Sequence, residues 1–430
     1  MRPTQNILAT RFLDRSPRAF ARAGTAPLVL RAFSSLILAA AVLFSHACKE
    51  HPSGPGTEAG VDASAPDSAP RDAAPDASAP DAWVRPDARA FDFCDQPIFK
   101  MPFDGTEGYL VEQEIEGTSI YYAFWLPPLP SFIYRFDLER CEELQLTLDG
   151  SAGAFGVGNG IIVYQRLGEV PLCCDLDVLH TSDLSIEPLK HGPACEWKPR
   201  TNGRHVAYFS QPDNQSQGEF RLLDLSLGTD ILLPYRGIRT PTNLSDRYLV
   251  FSAYPLLPGT EGTDVFVHDL RTGDTTSIEA SHELCQDWVF VWEDYLAWSG
   301  STGCTSAPYH LMVHNLETEE SIMLLEEDYS VSVTPIRGGL VAYNTSRYSG
   351  INGRSPTDVE LYDVETRITR RITSDSGRFW AARIDPPYLL LALSHGPALR
   401  YDLYVANLEM LGVLTPEGRL IPGEGVLVSP

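Results

Sequence analysis

A repeat of about 45 residues constrains the fold of this chain more than any other feature. From residue 120 onward, a short β-rich run occurs seven times. Each run carries one large apolar or aromatic residue in the same register, at intervals of 42, 44, 43, 47, 45 and 48 residues. These positions are Tyr122, Tyr164, Tyr208, Phe251, Trp298, Tyr343 and Leu391. Each copy is too short to be a domain, so the copies must form one repeating architecture.

A second apolar run in each copy ends in Asp or Asn followed by an aliphatic residue. The seven acidic or amide positions are Asp137, Asp183, Asp224, Asp269, Asn315, Asp363 and Asn407. A catalytic group would occur once, whereas a residue that recurs in every copy indicates a turn closed by side chain to backbone hydrogen bonds. A period of 40 to 50 residues built from several short strands is typical of a propeller blade.

The predicted fold is therefore all-β, a seven-bladed β-propeller that follows a disordered N-terminal tether. Sheets that are apolar on both faces cannot be stable alone, so the blades must stack around an axis and close into a ring. Six or eight blades stay possible, because a closing strand could lie within residues 93–119 or 409–430.

The repeats resemble the TolB-like and WD40-like propellers of bacterial envelope proteins. The VAY, VFS and AWS runs carry this resemblance, together with the D-L-x-T-G turn at 269–273 and its weaker versions at Asp363 and Asn315. The resemblance implies a propeller of the cell envelope. TolB itself has an additional N-terminal α/β domain, and the corresponding part of this chain is the predicted tether, so TolB's own role is not implied.

The N-terminus resembles a secretory signal. Residues 1–47 form the predicted signal peptide, with a basic flank and an apolar run, 32–47, that is too short to span a membrane. Cys48 stands where a bacterial lipobox places the lipidated cysteine, although Ser45 and His46 depart from the usual pattern. Cleavage by an ordinary signal peptidase, an uncleaved anchor and a mistaken start codon remain alternatives.

Residues 48–92 form the predicted lipidated tether, and residues 93–430 form the predicted propeller domain. The stretch 62–82 repeats Ala, Pro and Asp and has almost nothing to bury, so it cannot offset the entropy of ordering. The expected location is outside the cytoplasm, lipid-anchored to the envelope at the outer membrane. A periplasmic or secreted protein is the alternative.

Net charge excludes one class of partner. The chain carries −24 overall; six Arg and one Asp give the first 47 residues +5, so the remainder carries −29. Binding to nucleic acid requires clustered Lys and Arg, and so strongly acidic a head repels phosphates. The expected partners are an envelope protein or surface polymer and, through the lipid anchor, the membrane; nucleic acid is not expected, and the protein is expected to be monomeric.

The cysteines predict disulfides, because the expected compartment is oxidising. The candidate bridges are Cys285 with Cys304, linking one blade to a loop of the next; Cys173 or Cys174 with Cys195, within the second blade; and Cys94 with Cys141, at the start of the fold. One member of the vicinal pair is then left over. Zinc binding or a reactive thiol is the alternative.

No catalytic motif, cofactor site or metal site is predicted. His310 and His314 lie on a strand, where four residues separate side chains by about 13 Å. The candidate binding face instead consists of the long polar loops that follow the first run of each copy. Basic and aromatic residues would gather there: Tyr254, Tyr309, Arg347, Tyr348, Arg354, Arg400 and Tyr401.

Three functions are compatible with these features. The leading interpretation is a binding or interaction module with an unknown ligand. The second is a polysaccharide lyase or glycosidase whose active site lies at the propeller axis, which predicts unpaired carboxylates or histidines pointing inward. The third is a structural lipoprotein without a specific ligand.

Overall fold

Strands from almost every part of the repeat region build a ring of seven small sheets. The computed structural model describes residues 88–102, 109–125, 131–167, 174–211, 218–235, 238–254, 262–279, 284–302, 308–327, 331–346, 357–374, 379–394, 401–423 and 427–428. All secondary-structure elements in these ranges are strands. No helix in the described ranges is long and apolar enough to cross a membrane.

The first four blades follow one another along the chain, and within each blade the chain runs from the inner strand to the outer strand. Blade 1 consists of β3 (Tyr109–Glu116), β4 (Ser119–Trp125), β5 (Ser131–Asp137) and β6 (Glu142–Gln145), with β1 (Arg89–Ala90) added outside β6. Blade 2 consists of β7 (Ala152–Gly158), β8 (Ile161–Leu167), β9 (Cys174–His180) and β10 (Ile186–Lys190). Blade 3 consists of β11 (Cys195–Thr201), β12 (His205–Gln211), β13 (Glu219–Asp224) and β14 (Thr229–Leu233). Blade 4 consists of β15 (Arg239–Leu244), β16 (Tyr248–Ala253), β17 (Asp264–Asp269) and β18 (Thr275–Ser277).

The last three blades complete the ring. Blade 5 consists of β19 (Leu284–Trp292), β20 (Tyr295–Thr302), β21 (Tyr309–Asn315) and β22 (Ser321–Glu327). Blade 6 consists of β23 (Ser332–Val333), β24 (Leu340–Ser346), β25 (Thr357–Asp363) and β26 (Thr369–Arg371). Blade 7 consists of β28 (Phe379–Asp385), β29 (Tyr388–Ser394) and β30 (Tyr401–Asn407), with β2 (Ile98–Lys100) as its outer strand. A short parallel pair joins β27 (Thr373–Ser374) to β31 (Leu427–Val428).

Ring closure depends on the N-terminal strand β2. Ile98 pairs with Ala406 and Lys100 with Tyr404, so the start of the folded region completes the last blade. This strand lies within 93–119, one of the two stretches that could hold a closing strand. Seven blades are therefore confirmed.

Seven apolar clusters hold the blades together, one between each pair of neighbours. Tyr208, for example, packs with Val163 of blade 2, while the adjacent Phe209 packs with Phe251 of blade 4. Successive side chains along a strand point to opposite faces of the sheet. In each blade the second strand is apolar on both faces, so it contacts both neighbouring blades. All seven repeat positions are buried. A single blade would expose two such faces, which is why the blades are stable only as a ring.

The predicted turn role of the recurring Asp and Asn residues is confirmed. Asp269 Oδ1 accepts hydrogen bonds from the Arg271 and Thr272 amides at 2.8 and 3.2 Å. Asp363 and Asn315 each accept two equivalent bonds from the amides two and three residues ahead. Each of these three turns joins the third strand of a blade to the fourth.

The runs found in the sequence are the second strands of the blades. Each blade begins earlier, with an inner strand that the sequence analysis did not recognise. Arg89 and Ala90, which the sequence analysis placed in the tether, form β1 at the edge of blade 1. The predicted signal peptide, Cys48 and the rest of the tether up to residue 87 lie outside the described residues.

Candidate functional site

The inner strands end in tight turns that surround one mouth of the central channel. We call the connection between the first and second strand of a blade its inner turn. Asn159 and Gly160 in blade 2 have φ angles of 45° and 79°, and Gly338 and Gly339 in blade 6 have 54° and 76°. Two successive positive φ angles are required by the tightest hairpin turns, and Asn-Gly and Gly-Gly suit them. The turns are therefore short enough to lie close to the axis.

Hydrogen bonds link the inner turns of successive blades. The Asn159 amide donates to Glu116 Oε1 at 2.7 Å, and Asn159 Nδ2 donates to the Asn202 carbonyl at 2.6 Å. Asn202 Nδ2 donates in turn to the Ser245 carbonyl at 2.7 Å. Each of these pairs is separated by 43 residues in sequence, so one position of the repeat connects blades 1 to 4. The Gly117 amide, donating to Asp385 Oδ2 at 2.6 Å, joins blade 1 to blade 7 in the same way.

The inner turns of blades 1 to 6 line a cavity of about 430 Å³, which we call the turn mouth. Its charged and aromatic lining consists of Glu116, Asp246, Arg247, Tyr248, Trp292, Glu293, Asp294 and Arg337. Four carboxylates face two guanidinium groups, so the lining has an excess of two negative charges. A cavity of this size accommodates a small ligand or a few residues of a partner.

Only some of these charges are paired within the protein. Arg247 bonds to Asp269 at 3.2 Å and to Asp294 at 3.5 Å, and the Tyr248 hydroxyl donates to Asp294 at 3.2 Å. Asp246 and Glu293 are exposed, and neither carboxylate has a hydrogen bond or ion pair within the described part of the chain. The turn mouth therefore presents two free carboxylates to solvent.

Arg337 is the remaining free charge of the turn mouth. Its guanidinium forms no ion pair with any residue that the structure describes. Its positive charge nevertheless acts to lower the pKa values of Glu114 and Asp385. Burial raises the pKa of Asp385, while the hydrogen bond from the Gly117 amide and the charge of Arg337 act in the opposite direction. Arg337 can therefore donate hydrogen bonds to a carboxylate or carbonyl oxygen of a ligand.

Below the turn mouth lies an ion-pair cluster that we call the axial network, formed by Glu112, Glu114, Arg200 and Arg383. Arg383 pairs with Glu114 through two bonds of 3.1 Å, and Glu112 Oε1 bonds to both Arg383 at 3.1 Å and Arg200 at 3.3 Å. These side chains are all largely buried. They belong to blades 1, 3 and 7, so the network links the inner strands of three blades.

β-Bulges position the axial network. Inner strand β11 shifts register between Trp197 and Arg200, and β28 shifts between Ala381 and Arg383. Inner strand β3 shifts between Leu110 and Glu112. A bulge adds one residue to a strand and redirects the side chains that follow it. In each case the charged residue of the network comes directly after the bulge.

The axial carboxylates are poorly suited to acid catalysis. Burial alone would raise the pKa of Glu114, but Arg383 and Arg200 outweigh it, and the pKa is lowered. A general acid needs a raised pKa. The lyase or glycosidase interpretation predicted unpaired inward carboxylates, whereas Glu112 and Glu114 are both ion-paired. Among the described residues, no group of three or more His, Cys, Asp or Glu could hold a metal ion.

The predicted binding face stays largely untested. Tyr254 follows β16 and is exposed, and Tyr309 begins β21 and is half-buried. Both lie at the ends of strands opposite to the inner turns. Tyr401 begins β30, but its side chain is not described, and Arg347, Tyr348, Arg354 and Arg400 lie outside the described residues.

The sequence analysis missed the turn mouth because it began each repeat at the second strand. A signal was nevertheless present, since Asn-Gly occurs at 159–160 and again at 202–203. The same interval leads back to Glu116 and forward to Ser245. A repeat of turn residues at the interval of the blades would have located the inner turns.

One of the predicted disulfides is confirmed and one is contradicted. Cys94 and Cys141 form a disulfide, but Cys174 and Cys195 are free thiols. They do not share a blade as predicted, because Cys195 begins blade 3 while Cys174 begins the third strand of blade 2. Cys285 is disulfide-bonded, as predicted. Its predicted partner, Cys304, lies outside the described residues; in sequence it falls between β20 and β21 of blade 5, which also contains Cys285, so the predicted bridge would lie within one blade.

Comparisons with known proteins establish the fold alone. The chain matches no protein-family model and no curated protein. Among solved structures, acylaminoacyl peptidase from Pyrococcus horikoshii is 13% identical with a TM-score of 0.52, over 71% of this chain and 52% of the peptidase. The β-propeller domain of the Trilobed protease from Pyrococcus furiosus, described as having an open velcro topology, is 13% identical with a TM-score of 0.51, over 70% of this chain and 94% of that domain. Oligogalacturonate lyase from Vibrio parahaemolyticus is 11% identical with a TM-score of 0.51, over 76% and 99%.

Proposed function

We propose that this chain is a membrane-tethered propeller of the bacterial cell envelope that binds a protein partner through the turn mouth. The partner presents a basic segment, a loop or terminus that carries Lys or Arg. The observation that carries this proposal is the pair of exposed, unpaired carboxylates, Asp246 and Glu293, at the rim of a cavity of about 430 Å³. The chain after residue 47, with a net charge of −29, would attract such a segment from a distance.

The geometry of the turn mouth matches a short cationic segment. Each of the two free carboxylates can accept bonds from a Lys ammonium or an Arg guanidinium, and Arg337 can hold a backbone carbonyl of the same segment. Trp292 and Tyr248 supply half-buried and buried aromatic surface beside these charges. The unpaired charges lie at the inner turns, so the ligand binds at the mouth.

Fluorescent peptides would test this proposal directly. The purified protein should bind a tetra-lysine peptide more tightly than tetra-serine, and should not bind tetra-glutamate. Each exposed ion pair contributes about 0.2–1 kcal/mol, so Asp246→Asn with Glu293→Gln should weaken tetra-lysine binding about five- to tenfold. Added salt should reduce the difference. Fluorescence anisotropy measures all of these affinities.

A matched control removes the same charge elsewhere. Glu139 and Glu317 lie on exposed outer turns of blades 1 and 5. Glu139→Gln with Glu317→Gln should bind tetra-lysine as the wild type does. Equal weakening in both double variants would attribute binding to net charge and contradict the assignment to the turn mouth.

The loop face predicted from sequence supplies the competing site. Arg347→Glu, Arg354→Glu and Arg400→Glu together should leave tetra-lysine binding unchanged. The same variant should lose any binding to an acidic polysaccharide, the surface polymer that a basic face would favour. If only this variant lost the tetra-lysine peptide, the turn mouth would be the wrong site.

The membrane tether is proposed from the N-terminal sequence. Cys48 would carry the lipid, and residues 49–87 would separate the propeller from the membrane surface. Cells given an alkyne-bearing fatty acid should label the wild-type protein, and Cys48→Ala should lose both the label and the membrane fraction. A labelled Cys48→Ala protein would contradict lipidation at this position.

A further inference from the structure

Two thiols meet where blades 2 and 3 are in contact. Cys174 begins β9 and is buried, while Cys195 begins β11 and is half-buried. The two thiol groups are in hydrogen-bond contact, and no disulfide joins them. The packing of β11 against β8 and β9 therefore holds the two sulfur atoms together in the reduced protein.

We propose that Cys174 and Cys195 form a reversible thiol–disulfide exchange site that reacts with low-molecular-weight thiols and disulfides. Cys195 is the more exposed of the two residues, so an external thiolate attacks there. Cys174, which is buried against the blade, is the leaving group. This site differs from the Cys94–Cys141 disulfide, which closes the fold.

The exchange proceeds in two balanced steps. An external thiolate attacks the Cys195 sulfur of the Cys174–Cys195 disulfide, forming a mixed disulfide with Cys195 and releasing Cys174 as a thiolate. A second external thiolate attacks the external sulfur of the mixed disulfide, which releases the external disulfide and the Cys195 thiolate. Cys195 then takes one proton from water. Two electrons pass from the external thiols to the cysteine pair, and the reverse sequence oxidises the pair.

The surroundings of Cys174 favour its role as leaving group. The hydrogen bond from the Cys195 thiol lowers the pKa of Cys174 to about 7, against the effect of burial, and a hydrogen bond from Gln165 lowers it further. The same contact raises the pKa of Cys195, which keeps its proton. The negative charges of Asp175 and Glu196 oppose ionisation of Cys174 but do not outweigh the two hydrogen bonds. A thiol of lower pKa leaves faster and makes its disulfide easier to reduce.

Other contacts keep blades 2 and 3 together when the pair is reduced. Lys190 Nζ of blade 2 bonds to Asp230 Oδ2 of blade 3 at 2.8 Å. Asn159 Nδ2 donates to the Asn202 carbonyl, and an apolar cluster around Val163 and Tyr208 is shared by the two blades. Reduction of the pair should therefore leave the propeller folded.

A redox titration of the purified protein tests the proposal. The protein is equilibrated in mixtures of reduced and oxidised dithiothreitol, free thiols are alkylated, and peptides are mapped by mass spectrometry. Cys174 and Cys195 should become half-reduced at a ratio of reduced to oxidised dithiothreitol at least tenfold lower than Cys94 and Cys141 need. This difference corresponds to about 30 mV or more. A smaller difference would make the pair an ordinary structural bridge and overturn the proposal.

Variants separate this pair from the neighbouring Cys173. Cys173→Ser should titrate as the wild type does, and loss of the Cys195 transition in this variant would show that Cys173 is the true partner. In reduced protein, Cys195→Ala removes the hydrogen bond to Cys174, so alkylation of Cys174 by iodoacetamide at pH 7 should slow about five- to tenfold. An unchanged alkylation rate would show that Cys195 does not activate Cys174 and would overturn the assigned roles. A wild-type melting temperature for Cys195→Ala under reducing conditions serves as the folding control.

Discussion

The contact between blades 7 and 1 is built differently from the contact between blades 2 and 3. The first joins the two ends of the folded chain, and it contains the closing strand β2, a disulfide and most of the axial network. The second joins consecutive blades and contains free thiols, one strong ion pair and two glycines at close approach. Blades that the chain itself connects need only packing, whereas the first and last blades need additional bonds to stay together.

Close backbone approach brings blades 2 and 3 together even while the two thiols are free. A Cβ atom on Gly156 would lie 2.8 Å from Arg200 Cα, and one on Gly158 would lie 2.7 Å from Asn202 Cα. Only glycine permits this distance, so β7 and β11 are in near contact along the axis. Between blades 7 and 1, in contrast, Arg383 and Glu114 fill the space between the inner strands β28 and β3.

The largest effect should come from the axial network at the closing contact. Arg383→Met leaves Glu114 buried without its main partner, which should lower the free energy of unfolding by about 3–5 kcal/mol at pH 7. Urea denaturation measures this loss. Glu114→Gln combined with Arg383→Met removes the buried charge as well and should recover much of the stability.

Acid should remove the contribution of the same pair. The pKa of Glu114 is lowered in the folded protein, since Arg383 and Arg200 outweigh burial. A lowered pKa means that the stabilisation is present above the ordinary pKa of a glutamate and is lost as pH falls below it. The difference between wild type and Arg383→Met should therefore shrink in acid. A difference that stayed constant down to pH 3 would show that packing, rather than charge, accounts for the loss.

The disulfide should have the next largest effect on the closing contact. Cys94–Cys141 joins residues 47 positions apart and links the segment before β2 to the turn between β5 and β6. Replacing both cysteines by Ser should cost about 2–4 kcal/mol. In excess dithiothreitol the difference from wild type should vanish, because the wild type then loses its bridge as well. A difference that persisted would reflect the serine side chains rather than the bridge.

The second strands could be predicted from sequence, and the inner strands could not. Tyr208 and Trp298 mark strands with two buried faces, so their apolar residues form dense runs that recur at the blade interval. Inner strands such as β11 face the axis along one edge and carry Lys198, Pro199 and Arg200 around a bulge. Such a segment has neither a continuous apolar run nor simple alternation, so it gives no strand signal.

The turn mouth was not predicted from the sequence for the same reason. Its residues lie in inner turns, and their pairing across blades depends on the register of strands that the sequence did not reveal. The assignment of Cys195 to blade 3 was missed in a similar way, because the boundary between blades 2 and 3 was placed after Cys195 rather than before it. The seven turn-closing Asp and Asn residues, in contrast, act within four residues of chain, and a local pattern sufficed to predict them.

A smaller effect is expected at the contact of blades 2 and 3 from Gly156→Ala. The added Cβ would meet backbone atoms of Arg200 and Pro199, which cannot move aside as a flexible side chain could. Overpacking of this kind costs about 1–3 kcal/mol. Gly192→Ala is the matched control, because nothing lies within 4 Å of its Cβ position. If both variants melted at the same temperature, the two strands would not be in close contact.

The smallest effect, and the only stabilising one, should come from Glu196 on the same side of the ring. Burial raises the pKa of Glu196 to about 7, although the Ser210 hydroxyl donates to one of its oxygens at 3.2 Å. The other oxygen, Oε2, is buried and has no hydrogen-bond partner. A buried carboxylate without a full set of donors is costly, so the folded state favours the protonated form.

The sign of the pH dependence follows from this raised pKa. Below pH 4.5 the carboxyl of Glu196 is protonated in both the folded and the unfolded state, so it does not reduce stability. Stability is lost as pH rises through 7, because the unfolded state releases the proton more readily than the folded state. Glu196→Gln imitates the protonated form, so it should match the wild type at pH 5 and exceed it by about 1–2 kcal/mol at pH 8.5. Urea midpoints across this range measure the effect, with Glu139→Gln as an exposed control that follows the wild-type curve. If the advantage of Glu196→Gln were equal at pH 5 and pH 8.5, the carboxyl would not titrate in this range, and blades 2 and 3 would be held together independently of pH.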